Sequence, residues 1–458
     1  MTVDEALAEI GVEANTGATF GGFQPRDFQI AGAKAFVDNV VYGLYDQTGV
    51  GKTLTLFLSV LAWRLLGNKV VLMTKPGLFN QLLSEWDEIF IGLSERPSLR
   101  IGSGILLMTH AGITISRYTK AIMKEYDVLV IDEYHKFRNP EGRRFKTLKA
   151  LTSRQEMAVM IATGTPITKD LRDSYSCVSI TNPTAYKSFY AFCKLHVTYR
   201  DMQRRGSTST IRLTSGFKNE KLLRKRLGVK SRRLMKADVW PALEAPMVST
   251  RYLSLTDSQK QVYEDFQEYL IYESTDGELF DASYSPTLKF SKGIMSITNP
   301  AMFERGTESC VLEDILLVSD SVTEDNKLII FTLFDTTATY YAEQLEQYNP
   351  ALITGSIKQD VKFKEDDSCR ILVSTLGAGA EGYSFQKVSS HIYLAEYMPV
   401  PGWLEQAANR VYRPGQLGRA TLYLPHVKDT LYVTSLLKKS RDRHESNCKV
   451  VPTDFSLG

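Results

Sequence analysis

The eight residues Asp46-Gln47-Thr48-Gly49-Val50-Gly51-Lys52-Thr53 constrain this chain more than any other stretch. They join a strand-like run at 40–45 to a helix-like run at 54–66. In that setting Gly49 and Gly51 let the backbone curl until successive N–H groups and a helix N-terminus face one point. Such a loop suits a triphosphate. Lys52 would reach the β and γ oxygens, and Thr53 would place its hydroxyl on Mg²⁺. The usual G-x-x-x-x-G-K-[ST] pattern opens on glycine, and here Asp46 stands in that place.

Short apolar runs at 70–73, 105–108, 128–131 and 159–162 follow, separated by amphipathic stretches. Continuous rather than alternating apolar runs are what a parallel sheet covered on both faces requires. Residues 1–245 therefore read as an α/β lobe. Strand-like runs at 327–332, 371–375, 392–395 and 421–424 give a second α/β series within 246–458. Residues 1–22 read as a helix and a loop. Residues 171–241 read as an aromatic and basic insertion on the first lobe, with a Ser/Thr/Gly-rich loop at 206–216. A helix is expected at 256–272 and a polar loop at 273–286.

At 458 residues and 43% hydrophobic content, the chain has the material for a large core. Its longest apolar run, 54–66, carries Arg64 and falls short of the ~20 residues that span a bilayer. Acidic Asp4, Glu5 and Glu9 stand where an export signal would be basic and then apolar. The five cysteines lie far apart, with no C-x-x-C pair and no histidine at metal spacing, so neither a disulfide framework nor zinc is expected. An intracellular protein, cytoplasmic or nuclear, with no membrane partner is the expectation. The net charge of +3 is uneven: residues 200–236 hold 13 Lys/Arg against Asp201 and Glu220, a local +11 that leaves the remainder at −8. Such a region suits a phosphate backbone. A solvated helical face around Leu222, Leu223 and Leu227 accounts for it equally well.

The run at 128–131 ends in Asp132-Glu133-Tyr134-His135. Beside a phosphate loop, Asp132 would hold Mg²⁺ and Glu133 would take a proton from the attacking water. The next run enters Thr163-Gly164-Thr165-Pro166, two hydroxyls placed to sense a γ-phosphate. Gln29, just ahead of the loop, has an amide able to read an adenine edge. Two α/β halves with one phosphate loop suggest that one half binds nucleotide and the other closes on it with cations. Arg410 and Arg413, three apart and on one face if helical, would neutralise charge in phosphoryl transfer, and Gln406 would position the water.

These stretches, with Lys136-Phe137-Arg138-Asn139, Arg232-Arg233 with Lys236 and Asp238, and Q-A-x-x-R-x-x-R-x-G-Q at Gln406 to Gln416, resemble the Swi/Snf branch of superfamily two helicase-like ATPases. Asp46 is what that branch carries at its position. The resemblance covers about residues 23–440. It implies two tandem RecA-like lobes, ATP with Mg²⁺ in a cleft between them, and double-stranded DNA gripped across both. By position it assigns the adenine contact to Gln29, phosphate and Mg²⁺ to Lys52 and Thr53, the metal and base pair to Asp132 and Glu133, the fingers to Arg410 and Arg413, and coupling to His135, Thr163 and Thr165. It implies DNA-backbone contacts at Lys75, Pro76, Thr109, Gly355, Ser356, Ser374 and Thr375, and makes the region of Arg232 and Arg233 a linker and protrusion.

There are departures. Tyr134 replaces the small residue of DEAH or DEGH, the S-T-x-A-G-G-x-G-I-N-L stretch is one residue longer at 374–385, with Leu376 and Glu381 unusual, and the aromatic of W-N-P is absent near Pro399 and Pro401. No bromodomain-, chromodomain- or finger-like module is visible, so the expectation is a minimal monomeric motor, as in viruses or bacteria. It would translocate on duplex DNA, displacing bound protein or rewinding or migrating branched DNA. A strand-separating DNA or RNA helicase is the alternative enzyme, and a non-hydrolysing nucleic-acid clamp the alternative of another class.

Overall fold

Neighbouring residues of a strand point to opposite faces, so a run that is apolar throughout needs cover on both sides. In the computed structural model Val70 and Leu72 join one buried cluster while Val71 and Met73 join another; Val128 and Val130 divide in the same way from Leu129 and Ile131. The structure describes residues 1–153, 157–203, 210–273, 279–281, 286–379, 383–398 and 400–453. They form two compact units, Met1–Val239 with Ser446–Thr453, and Trp240–Glu445.

In unit 1 the strands are β1 (Val41–Leu44), β2 (Val70–Thr74), β3 (Ile105–Thr109), β4 (Val128–Ile131), β5 (Ala158–Ala162) and β6 (Ser231–Arg232). They lie in the order β6-β1-β5-β4-β2-β3, every pair parallel. In unit 2 they are β7 (Met247–Leu253), β8 (Lys327–Thr332), β9 (Ala351–Ile353), β10 (Ile371–Thr375), β11 (Ser389–Leu394) and β12 (Thr421–Val427). Their order is β7-β12-β11-β8-β10-β9, again all parallel. Helices flank both sheets, so each unit is a RecA-like α/β lobe. Among the described residues no helix is long and apolar enough to cross a membrane.

Several local expectations change. Part of the expected Ser/Thr/Gly-rich loop is a strand: Thr210–Phe217 pairs antiparallel with Val197–Gln203. Its β-branched Thr210, Ile211 and Thr214 suit a pleated backbone better than a loop. Residues 206–209 of that piece, Glu381 and Pro399 lie outside the described residues. The helix expected to 272 stops at Tyr269, where Leu270 turns left-handed at φ 55°; Ile271–Glu273 then pairs with Leu279–Asp281 across part of the expected polar loop. The region 171–241 is no simple appendage. Every residue of the helix Ser174–Thr181 is buried, and β6 closes one edge of the unit 1 sheet.

Candidate nucleotide site

β1, β5 and β4 are adjacent in the sheet, so the loops at their carboxyl ends share one edge. Those loops are 45–51, the Thr163-Gly164-Thr165 turn, and Asp132-Glu133. Gly49 and Gly51 take φ of 91° and 106°, left-handed values that a side chain resists, and the helix Lys52–Leu65 starts directly after them. A Cβ on Gly164 would fall 2.1 Å from the Thr48 hydroxyl oxygen. The Thr-Gly-Thr turn therefore packs against the phosphate loop because that glycine has no side chain.

Lys52 Nζ lies across the loop, donating to the carbonyls of Asp46 (2.8 Å) and Gln47 (3.1 Å). Burial lowers its ammonium, against the pull of the Glu133, Asp46 and Asp132 charges. Thr53 is exposed on the first helical turn. Gln29 is buried and braces the loop: Nε2 donates to Gly51 O (2.8 Å) while Oε1 accepts from Arg26 N (2.9 Å). One N–H and one lone pair of that amide remain for a base.

Burial, and then the Glu133 charge, push the Asp132 carboxyl up to about 7, against Lys52. Burial would raise Glu133 as well, but the hydrogen bond from His135 and the Lys75 and Lys52 charges outweigh it and hold the carboxyl below the usual range. His135 Nδ1 lies 3.2 Å from Glu133 Oε2 and 3.5 Å from Thr163 Oγ1. Burial lowers the imidazole, so it is neutral at pH 7, and the Nδ1–H tautomer is the one that serves Glu133. Thr163 Oγ1 also accepts from Thr165 N (3.1 Å). A hydrogen-bonded path thus runs from the base through His135 to the turn. Glu133 has φ 47°, strain that buried neighbours must hold in place. Tyr134, wholly buried, supplies that hold by donating to Ser176 O (3.0 Å) and stacking on Phe137 at 5.5 Å.

The residues fit Mg²⁺. Two adjoining carboxyls, one raised to about 7 by burial and by the charge of the other, are hard oxygen donors, and this ion is commonly held by one or two carboxylates together with substrate phosphates.

Three contributors were not legible as such. Arg232, placed by the resemblance in a linker, sits on β6 and forms a two-pronged ion pair with Asp46 (Nη2–Oδ2 2.5 Å, Nε–Oδ1 3.2 Å), also donating to Phe28 O. Arg233 donates to Tyr45 O (2.6 Å), Gly164 O (3.2 Å) and Pro452 O (2.7 Å), tying two strand ends together. His110, after β3, meets Asp132 O at 2.7 Å through Nε2 and is lowered to about 4 by burial. A charged residue at the glycine position of the motif was the available clue to a buried cation.

Of the expected DNA contacts, Lys75 follows β2 and its charge reaches both acids. Pro76 is exposed beside it. Thr109 Oγ1 accepts from Gly112 N (3.1 Å). In unit 2 Gly355 and Ser356 are exposed after β9, whereas Thr375 is buried and Ser374 is wholly so, its hydroxyl donating to Ile353 O (3.0 Å).

Arg410 and Arg413 do not share a helical face. The helix Pro401–Ala408 carries Gln406 but ends before them, and Pro414 with the left-handed Gly415 (φ 78°) keeps a helix from resuming beyond them. Both reach back over its end, Arg410 Nε to Gln406 O (3.1 Å) and Arg413 Nε to Asn409 O (2.7 Å). Both also meet the 383–384 loop, through Tyr383 O (2.5 Å) and Ser384 Oγ (3.1 Å).

Residues 92–305 match the family model described as SNF2-related domain. A Bacillus subtilis protein named as an uncharacterized ATP-dependent helicase, YqhH, is 22% identical over 444 residues, 89% of this chain and 76% of that one. The chicken DNA repair and recombination protein RAD54-like is 23% identical over 422 residues, 82% of this chain but only 56% of its own length. A Sulfolobus solfataricus SWI2/SNF2 ATPase core in complex with dsDNA aligns at a TM-score of 0.40 and 18% identity, covering 96% of this chain and 94% of that one. Residues 92–305 thus carry an SNF2-related domain, and beside the phosphate loop and the acid pair the chain is similar along most of its length to a protein named as an ATP-dependent helicase.

Proposed function

We infer that the chain hydrolyses ATP when it engages duplex DNA and uses the cycle to translocate, displacing bound protein or rewinding or migrating branched DNA. The reading is carried by one observation: Lys52, Asp132, Glu133 and His135 share one electrostatic neighbourhood at the carboxyl edge of the unit 1 sheet. In this proposal the Gly49–Gly51 curl and Lys52 hold the β and γ phosphates, and Gln29 presents its remaining amide groups to the base. Thr53 and Asp132 would hold Mg²⁺, whose chemistry when bound is to neutralise charge on the transferred phosphoryl group. Glu133, ionised at neutral pH, accepts the proton of the attacking water, and His135 fixes its orientation. Arg410 and Arg413 of the second lobe (246–458) supply cations to the phosphoryl group, and Gln406 positions the water. Duplex DNA as the activator is supported by the names of the relatives and by the exposed Pro76, Gly355 and Ser356.

Phosphate release measured with and without duplex DNA tests the reading. Stimulation is expected, with turnover abolished in Lys52→Ala and Glu133→Gln; equal rates with and without DNA would sink it. Forked DNA, single strands and RNA in the same assay separate a duplex translocase from a strand-separating or RNA-directed motor.

A further inference from the structure

The loops after β3 and β4 line a cavity of about 340 Å³, walled by Thr114, Lys136, Phe137, Arg143, Arg144 and Phe145 among others. Residues 136–144 carry Lys136, Arg138, Arg143 and Arg144 against the single acid Glu141. Gathering like charges in one concavity costs free energy that a ligand of opposite sign would recover. The cost is visible: burial first, and then the Arg138 and Arg144 charges, pull the Lys136 ammonium down against Glu133. The cavity is also pre-shaped. Phe137 and Phe145 are buried beneath it, and Arg143 Nη2 donates to Thr114 O (3.3 Å), fastening one loop to the other. That single bond leaves most of the Arg143 fork unspent. Arg144 is exposed and, among the described residues, has no carboxylate in salt-bridge range. Two guanidinium groups at the rim of a firm, water-accessible hollow are suited to a tetrahedral oxyanion. The hollow lies on the carboxyl edge of the sheet, one short turn from Thr109, whose hydroxyl accepts from the N–H that opens the Gly112–Thr114 turn.

We propose that this cavity holds a backbone phosphate of the bound duplex through Arg143 and Arg144, with Lys136 behind them, as a site distinct from the nucleotide loop. It rests on the duplex-directed reading above and adds a contact which that reading does not contain. Its location also matters: Lys136 follows Glu133 by three residues on one tight turn, so a phosphate held here bears on the segment that carries the acid pair.

The test is binding of a labelled blunt duplex to the full chain over a range of salt, for wild type, Arg143→Gln, Arg144→Gln and the double variant. Neutralising one phosphate contact lowers the slope of log K against log salt by about 0.9. The double variant is expected to lose about 0.9 and each single variant a part of that, with DNA-free ATP turnover unchanged. If Arg143→Gln loosens the loop through its lost bond to Thr114, Arg144→Gln carries the test alone. An unchanged slope in Arg144→Gln and in the double variant overturns the site. Inorganic phosphate added as competitor separates the two sources of the anion: protection of wild type by free phosphate, with variants that keep the full duplex slope, would make this a free-anion site and also overturn the proposal. A wild type that fails to bind duplex sinks the function proposed for the whole chain, whereas normal wild-type binding with unaltered variants sinks this site only.

Discussion

Both units set a carboxylate at the carboxyl edge of a six-stranded parallel sheet, yet the two carboxylates live differently. Glu396, after β11, is nearly solvent-free and fully engaged: Oε2 accepts from Leu333 N (2.8 Å) and Phe334 N (3.3 Å), and Oε1 from Thr298 Oγ1 (2.6 Å) and Thr337 Oγ1 (2.9 Å). Those two backbone amides lie between β8 and the helix Asp335–Gln344, the part of unit 2 that matches the phosphate loop in its strand-loop-helix order. In unit 2 a protein carboxylate already occupies the two amides at that strand end. In unit 1, among the described residues, no carboxylate accepts from the amides of residues 48–51, and at the neighbouring strand end burial raises Asp132 while His135, Lys75 and Lys52 hold Glu133 low. One architecture thus serves as a closed scaffold and as a reactive edge, and the difference lies in whether the loop amides are satisfied from within.

The largest effects should separate the acids. Glu133→Gln should abolish measurable turnover, a loss of at least about 10²–10⁴, while leaving the thermal transition in place. Glu396→Gln should leave turnover nearly unaltered and lower stability by about 1–3 kcal/mol, seen in denaturant unfolding. The opposite assignment of losses would break the comparison.

The buried ion pairs come next. Asp46 is 1% exposed and its cation Arg232 18%, so Arg232→Met should cost about 3–5 kcal/mol by stranding a charge. Arg251, paired with Asp314 in unit 2, is 34% exposed, and Asp314 also accepts from Tyr393 Oη (2.7 Å). Arg251→Met should cost less, which parallel denaturant curves would show.

His110 sharpens the contrast through pH. Its folded value of about 4 lies below the ordinary 6.5, so the folded form resists protonation. Its contribution is complete above pH 6.5 and is lost as pH falls toward 4. The stability difference between wild type and His110→Gln should therefore shrink by about 3 kcal/mol across that window, at 1.36 kcal/mol per unit. A pH-independent difference would remove His110 from the argument.

The smallest contrast concerns glycines. Gly51→Ala meets φ 106° and the Gln29 amide at 2.9 Å and should weaken nucleotide binding, with about 1 kcal/mol of backbone strain. Gly355→Ala, whose Cβ would find only the Asp335 carboxylate at 3.9 Å, should be close to neutral in stability.

What was legible in the chain followed how local the information is. Five strands of unit 1, β1 to β5, could be read because each apolar run states its own double-faced burial, and the phosphate loop because its glycines, lysine and threonine are contiguous, whereas the polar β6 was read as part of the basic insertion. Edge strands escaped: β7, half-exposed along much of its length, and β9, three residues long, present no such run. The spacing of Arg410 and Arg413 suited a helical face had the helix continued, but it ends at Ala408 with Asn409 as its cap. Long-range partnerships were silent. Nothing near Asp46 names Arg232, and nothing near Ser374 names its hydrogen bond to Ile353 O on a neighbouring strand.

The chain leaves unit 1 at Val239 and returns to it at Ser446. Val450 and Val451 pack into the core that holds Leu223 and Leu227, and Gln47 of the phosphate loop donates to Thr453 Oγ1 at 3.1 Å. Domains ordinarily fold in the order in which they emerge from the ribosome. Here the first lobe to be synthesised is the last to be finished, because its nucleotide loop waits for residues made after the whole of the second lobe.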